Sequence, residues 1–247
     1  MARIFVPLPD RDFDVTEVSV PWKLWTEAGH DVLFATETGA MAAADPLLLT
    51  GVLFGQLGAE PEPKRFYEEM IATPSFQKPR RWAELDASAV DALHLPGGHA
   101  KGMRQYLGAP ALHARVLEFV RSGKPFAAIC HGPLVLARTR DPATGKSVLA
   151  GLKTTCLPKY MERSAWLLTA WKLGDYYRTY PEYVEEEVCA ALARPEDFVR
   201  GPRVLTTRGT RDDDRAAFVV EDGRYVSARW PGDAYLYAKK LAERLGR

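Results

Sequence analysis

The stretch that most constrains this chain is Pro125 to Ala137, P-F-A-A-I-C-H-G-P-L-V-L-A. Phe126 to Ile129 is an apolar run of strand length, Cys130-His131-Gly132 follows without a spacer, and Pro133 to Ala137 reads as the first turn of a buried helix. Proline suits that start, because the N–H it lacks would have no partner there. A buried strand that turns at once into a helix is the geometry of a nucleophile elbow. The corner side chain then faces the crevice at the carboxyl end of a parallel sheet, over the positive end of the helix dipole. A thiol so placed is expected to lose its proton more easily than a free cysteine, whose pKa is about 8.5. The alternative is a structural cysteine ahead of a helix, since free cysteines are among the most buried residues. His131 weighs against it, because a bulky polar ring serves packing poorly in so tight a corner.

Strands and helices alternate along the rest of the chain. Arg3 to Leu8, Thr16 to Ala28 and Asp31 to Ala35 read as strand, helix and strand, a unit that implies a right-handed crossover and parallel strands. Asp10 to Asp14 reads as a polar loop inside it. Ala89 to Leu95 is a strand that runs into Pro96-Gly97-Gly98-His99, and Gly102 to Leu107 and Ala111 to Arg121 are helical. Lys153 to Leu157 and Arg203 to Thr207 are strand candidates, with helices over Tyr160 to Leu173 and Pro181 to Ala193 between them. Ala217 to Val220 and Tyr225 to Ala228 flank a hairpin signal, and Asp233 to Leu245 is the closing helix. This alternation predicts an α/β fold, a doubly wound, mainly parallel sheet with helices on both faces. It predicts a single domain over residues 1–247, with excursions at about 41–80 and 158–200. The first excursion is longer than a plain connection needs, which suggests a cover for the site.

Composition narrows the function classes. The formal charge is +1, without the clustered basic residues of a nucleic-acid surface. No apolar run approaches the roughly 20 residues of a membrane span. The first residues lead straight into a strand, so no signal peptide is expected. The cysteines are Cys130, Cys156 and Cys189, an odd count without CxxC spacing that suits reduced thiols in a cytoplasm. No two histidines have metal-ligand spacing, so no metal is predicted.

Gly97 and Gly98 end a strand, where bare backbone N–H groups can approach a ligand. With the N–H of His131 they suit an oxyanion hole, or else an ordinary strand-end turn. Glu17 lies early in the first helix and opens on the same crevice. Buried there, its carboxyl would hold a proton and serve as general acid and base; exposed, it would only complement the helix dipole. A third group should orient His131. Spacing alone leaves open which acid does so, and Glu37 and Glu162 are both available. His99 lies near the proposed site, His94 reads as a structural or lining residue, and Cys156 and Cys189 read as core.

A-A-I-C-H-G-P, an upstream H-L-P-G-G-H and an early T-E-V-S-V-P-W-K-L-W-T-E-A-G-H-D-V-L-F-A-T-E-T-G occur in that order. Together they resemble the ThiJ/PfpI superfamily, which includes the Parkinson-associated deglycase, PfpI-type proteases and class I glutamine amidotransferase relatives. The D-V-L-F-A-T-E-T-G and L-P-G-G-H segments are most similar to the branch of heat-inducible chaperones with glyoxalase III activity. The resemblance implies a flavodoxin-like, amidotransferase-like sheet. It implies a cofactor-free enzyme with Cys130 as nucleophile, Glu17 against the thiol, and Gly98 and His131 as oxyanion amides, with Gly97 and His99 beside them. It also implies Glu162 as the acid of a Cys-His-acid triad, and a homodimer. The expected substrate is a small reactive carbonyl of the methylglyoxal type. An amide or peptide is the alternative, and a holding chaperone or redox sensor the third. The aromatic segment around Tyr176 to Tyr183 departs from that branch, and this leaves the substrate open.

Overall fold

The computed structural model describes residues 1–52, 57–204 and 206–246. The strands are β1 (Arg3–Pro7), β2 (Arg11–Phe13), β3 (Asp31–Thr36), β4 (Ala43–Ala44), β5 (Arg80–Arg81), β6 (Ala92–Leu95), β7 (Phe126–Ile129), β8 (Val219–Asp222) and β9 (Tyr225–Ala228). Seven of them form one sheet in the order β5-β3-β1-β6-β7-β9-β8, parallel throughout except for β8. The helices are α1 (Val15–Glu27), α2 (Pro46–Thr50), α3 (Pro61–Ile71), α4 (Pro74–Gln77), α5 (Met103–Leu107), α6 (Pro110–Arg121), α7 (Pro133–Arg138), α8 (Lys159–Leu173), α9 (Val184–Ala191) and α10 (Ala234–Leu245). Among the described residues no helix is long and apolar enough to cross a membrane.

β1 sits in the centre, with Phe5 opposite Leu33 of β3 on one flank and Leu93 of β6 on the other. The chain leaves β1 toward β3 and β5, then returns to build β6, β7 and β9 on the opposite flank. That reversal opens a crevice beyond the carboxyl ends of β1 and β6, where open α/β sheets bind ligands. The three buried strand ends Pro7, Leu95 and Ile129 border it. α1 is held at the crevice by its cap: Asp14 accepts the N–H groups of Thr16 (2.8 Å) and Glu17 (3.1 Å). Its apolar residues pack against α3 and α10, which is why so many of its positions, Pro21 among them, are buried.

Several local expectations are corrected. Asp10 to Asp14 is not only loop, because β2 pairs with β4 in a small parallel ladder. Lys153 to Leu157 is not a strand. It makes one bridge, Thr154 with Phe198, and the N–H of Thr155 goes to the Ser227 hydroxyl (3.0 Å). The described residues of 203–207 are irregular, residue 205 lying outside them. There the backbone N–H and C=O of Val204 both bond the Tyr160 hydroxyl at 3.0 Å, so they are not free for a strand partner. The excursion at 41–80 lays α3 on α1 and α4 on β3. The cover over the crevice comes instead from the second excursion, at Tyr176 to Tyr180.

Candidate active site

Cys130 stands at the corner between β7 and α7 with φ +60°, a left-handed conformation that costs a non-glycine residue free energy and recurs at functional sites. The corner is pinned from both sides. The Cys130 N–H donates to Ala228 O (3.0 Å), and its carbonyl accepts from Leu157 N–H (3.1 Å). A Cβ on Gly132 would lie 2.0 Å from Leu95 O, so only glycine lets the turn pass β6.

Glu17 reaches the corner from the first turn of α1. Its Oε2 accepts the Gly97 N–H at 2.7 Å, and its carboxyl hydrogen-bonds with the Cys130 side chain. Among the described residues Oε1 is buried without a nitrogen or oxygen partner. A Cβ on Gly97 would come within 2.5 Å of the His131 nitrogen, 2.9 Å of Glu17 Oε2 and 3.0 Å of Cys130 Cβ. The bare glycine is therefore what allows the acid, the thiol and the histidine amide to meet. His94 fixes the backbone here, its Nε2 lying 2.9 Å from Glu17 O and its Nδ1 2.7 Å from the Tyr237 hydroxyl.

Burial, then the charge of Asp14, pushes the Glu17 carboxyl well above the usual carboxylate range. Asp14, itself buried, is raised to about 6. Glu17 therefore keeps its proton to higher pH than an exposed glutamate does. Burial also pushes the Cys130 thiol up, and a charge on Glu17 or Asp14 would add to this. The expectation of a thiol held ionised by the helix dipole is thus corrected: loss of solvation at a site with no exposure raises the thiol. Burial thus favours the protonated form of both the Glu17 carboxyl and the Cys130 thiol that it faces. The His131 backbone N–H, which bonds the sulfur, favours the thiolate once it forms.

The His131 ring shows where the thiol proton can go. Nδ1 lies 3.3 Å from Cys130 Sγ, and Nε2 lies 3.2 Å from Thr179 Oγ1. The Thr179 hydroxyl donates its one proton to His99 O at 2.6 Å, so its oxygen must accept from Nε2–H. That fixes the tautomer, with the Nδ1 lone pair toward the thiol. Burial lowers the ring well below the usual histidine value, so it rests neutral.

The structure brings Cys130, His131, Glu17, Gly97, Gly98 and His99 together. The Gly97 N–H is taken by Glu17, whereas that of Gly98, at φ +156°, has no acceptor among the described residues. The His99 ring packs edge-on against His131 and Tyr177, at centroid distances of 4.9 and 4.8 Å. Glu162 is not brought to His131. Its Oε2 accepts the Val184 N–H at the start of α9 (3.1 Å), its Oε1 lies 3.9 Å from Arg178 Nε, and burial raises it to about 7. Glu37 bonds Gln105 near the surface.

The segment that carries Thr179 also seals the site. Arg104 Nε donates to Thr179 O (2.6 Å), the Tyr176 hydroxyl bonds Asp45, and Arg138 lies 4.1 Å over the Tyr180 ring. Beneath this segment Cys130, His131 and Glu17 are each 0% exposed.

A family model described as ThiJ/PfpI family-like matches residues 8–202. The chain belongs to the ThiJ/PfpI family. An uncharacterised protein of Schizosaccharomyces pombe is 30% identical to it, over 97% of this chain and 82% of that one. Glyoxalase 3 of Candida albicans is 23% identical, over 92% and 86%. A deglycase of Pyrococcus abyssi is 25% identical, over 98% and 99%. The crystal structure of glyoxalase III from Candida albicans superposes with a TM-score of 0.69 at 20% identity, over 98% and 97% of the two chains, and so shares the fold.

In this member of the ThiJ/PfpI family the residue that sequence reasoning missed is Thr179. It lies 48 residues from the ring it holds, and a lone hydroxyl in an aromatic loop carries no spacing signal. The donors His99, Cys130 and His131 also converge, with one ligand atom of each within 4.8 Å of the others. Linear spacing of histidines gave no hint of that cluster.

Proposed function

We propose that the chain is a cysteine enzyme acting on small reactive carbonyls, converting methylglyoxal-type 2-oxoaldehydes to 2-hydroxy acids as a glyoxalase III does. The observation that carries this reading is a fully buried thiol set between a buried carboxyl, whose proton is favoured by burial, and an imidazole whose Nδ1 lies 3.3 Å from the sulfur. A peptide needs an open groove. A sealed site favours a substrate of a few atoms. The relatives named glyoxalase 3 and deglycase point the same way.

In the proposed reaction the Cys130 sulfur adds to the aldehyde carbon. The thiol proton passes to His131 Nδ1 and on to the new alkoxide, giving a hemithioacetal. His131 then takes the hydrogen of that carbon while Glu17 gives its proton to the neighbouring ketone oxygen. His131 returns its proton to the second carbon as Glu17 takes one from the hydroxyl of the first, and a thioester remains. Water cleaves the thioester, and a 2-hydroxy acid and the thiol result. One carbon is oxidised and its neighbour reduced, so no outside oxidant is needed. Tyr176 to Tyr180 must move to admit substrate. Because that segment carries Thr179, closure also sets the tautomer of the base.

The test is to incubate the protein with methylglyoxal and quantify lactate, alongside fluorogenic peptides and simple amides. Lactate in proportion to aldehyde consumed, with no amide cleavage, is expected. Amide cleavage without lactate would transfer the site to a hydrolase.

Thr179 acts through His131 as a positioning residue. Thr179→Val is expected to lower turnover on the order of 10- to 100-fold, the scale of a misplaced catalytic group. Thr179→Ser should restore most of the rate. The pH profile should shift in the valine variant alone, since only it loses the partner of Nε2–H. A valine profile superimposable on that of the native chain would show a merely structural threonine.

A further inference from the structure

We propose that His99, Cys130 and His131 form a site for a soft divalent cation of the zinc and cadmium class, which caps the thiol. A thiolate with two imidazoles is a donor set such ions prefer, and it leaves a fourth position open. Tetrahedral bonds of 2.0–2.3 Å put neighbouring donors about 3.3–3.8 Å apart. Cys130 Sγ and His131 Nδ1 already stand at 3.3 Å. The ligand atom of His99 lies within 4.8 Å of both, so about 1 Å of ring movement completes the set. Among the described residues the His99 ring packs edge-on against His131 and Tyr177 and its nitrogens make no hydrogen bond, so such a movement breaks none.

The surroundings match what a ligating histidine needs. Such a residue donates its second N–H to a neighbour that fixes tautomer and orientation. Thr179 already does this at His131 Nε2, leaving Nδ1 as the ligand. The Glu17 carboxyl, which hydrogen-bonds the Cys130 side chain, is a further oxygen donor beside the sulfur. On binding, the cation takes the place of the thiol proton, which leaves to solvent, and a sulfur–metal bond forms without change of oxidation state. Cation and carbonyl then compete for one sulfur. The inference needs only the donors, and it stands whether or not the carbonyl reading does.

The test uses chelator-stripped full-length protein and no substrate. Zinc is titrated by calorimetry, cobalt by absorbance, and Cys130 alkylation by iodoacetamide is followed with and without zinc. One ion per chain is expected, with a sulfur-to-cobalt charge-transfer band, intense tetrahedral ligand-field bands, and protection of Cys130. His99→Ala and Cys130→Ser should each weaken zinc at least about 10-fold, the lower end of the losses seen when a metal site is disturbed. His99→Asp, which supplies a ligand again, should recover part of it. Circular dichroism checks that each variant is folded, and the alkylation measurement on the native chain stands without any variant. Cobalt binding without the charge-transfer band, zinc that leaves Cys130 open to alkylation, or equal affinity in folded His99→Ala would overturn the site. One bound zinc, together with no lactate from methylglyoxal when the zinc-free protein is assayed, would sink the carbonyl reading alone.

Discussion

Replacing Cys130 by serine is expected to lower lactate formation from methylglyoxal by ~10³-fold or more, as loss of a nucleophile that works as a unit with its base does. Serine keeps the size of the corner residue and accepts the same φ of +60°. What it loses is acidity and nucleophilicity. The native thiol, although pushed up by burial, can give its proton to a neutral imidazole 3.3 Å away. An alcohol at that distance cannot be deprotonated to any useful extent, because the ring itself is lowered well below the usual histidine value. Cys189→Ser is the control, since that thiol is only part-buried and lies outside the site. A Cys130→Ser protein that turned over at the native rate would remove the sulfur from the chemistry.

Glu17→Gln is expected to cost about 10²–10⁴ in rate, the usual worth of a positioned proton donor. Glutamine keeps an oxygen for the Gly97 N–H, so the packing around Gly97 is retained. Its amide cannot hand a proton to the ketone oxygen and take one back from the hydroxyl of the neighbouring carbon. The same change has a signature in stability. The folded chain retains the Glu17 proton above the ordinary value of 4.5, where the unfolded chain releases it. Native stability from this group is therefore complete at low pH and declines as pH rises above about 4.5. Glutamine removes that slope. The stability of Glu17→Gln relative to the native chain, read by urea unfolding, should grow from pH 5 to pH 8. A difference that stayed constant across that range would mean Glu17 is ionised in the fold.

What could be read from the sequence was what is local. The run Phe126 to Ile129 and the corner Cys130-His131-Gly132 lie within seven residues, and β7, the elbow and α7 form where that run predicts. The β1-α1-β3 unit is equally local, and it places Glu17 at the crevice because Asp14 caps α1 there. What was not legible depends on distance or on solvent. Thr179 reaches His131 across 48 residues, and Glu162, which the family resemblance assigned to the triad, instead receives the N–H of Val184. The strand expected at 203–207 has the right residue types, but its Val204 backbone groups are taken by Tyr160. The direction of the thiol's shift is not legible either, because a helix start is visible in a sequence and the depth of burial is not. Cys130 sits under a segment that begins 46 positions later, at Tyr176, and that segment removes the water on which an ionised sulfur would depend.

The proton between Glu17 and Cys130 is the feature on which both the proposed catalysis and its pH dependence turn. Its position can be observed directly in the infrared spectrum, where a protonated carboxylic acid has a carbonyl stretch separate from that of a carboxylate. The difference spectrum of the native chain minus Glu17→Gln at pH 7 isolates this group from Asp14 and Glu162. A protonated-acid band that shifts when Cys130 is changed to alanine is the result expected here. A carboxylate band in its place would mean that the acid facing the sulfur is charged at rest, and the proposed proton path would be wrong.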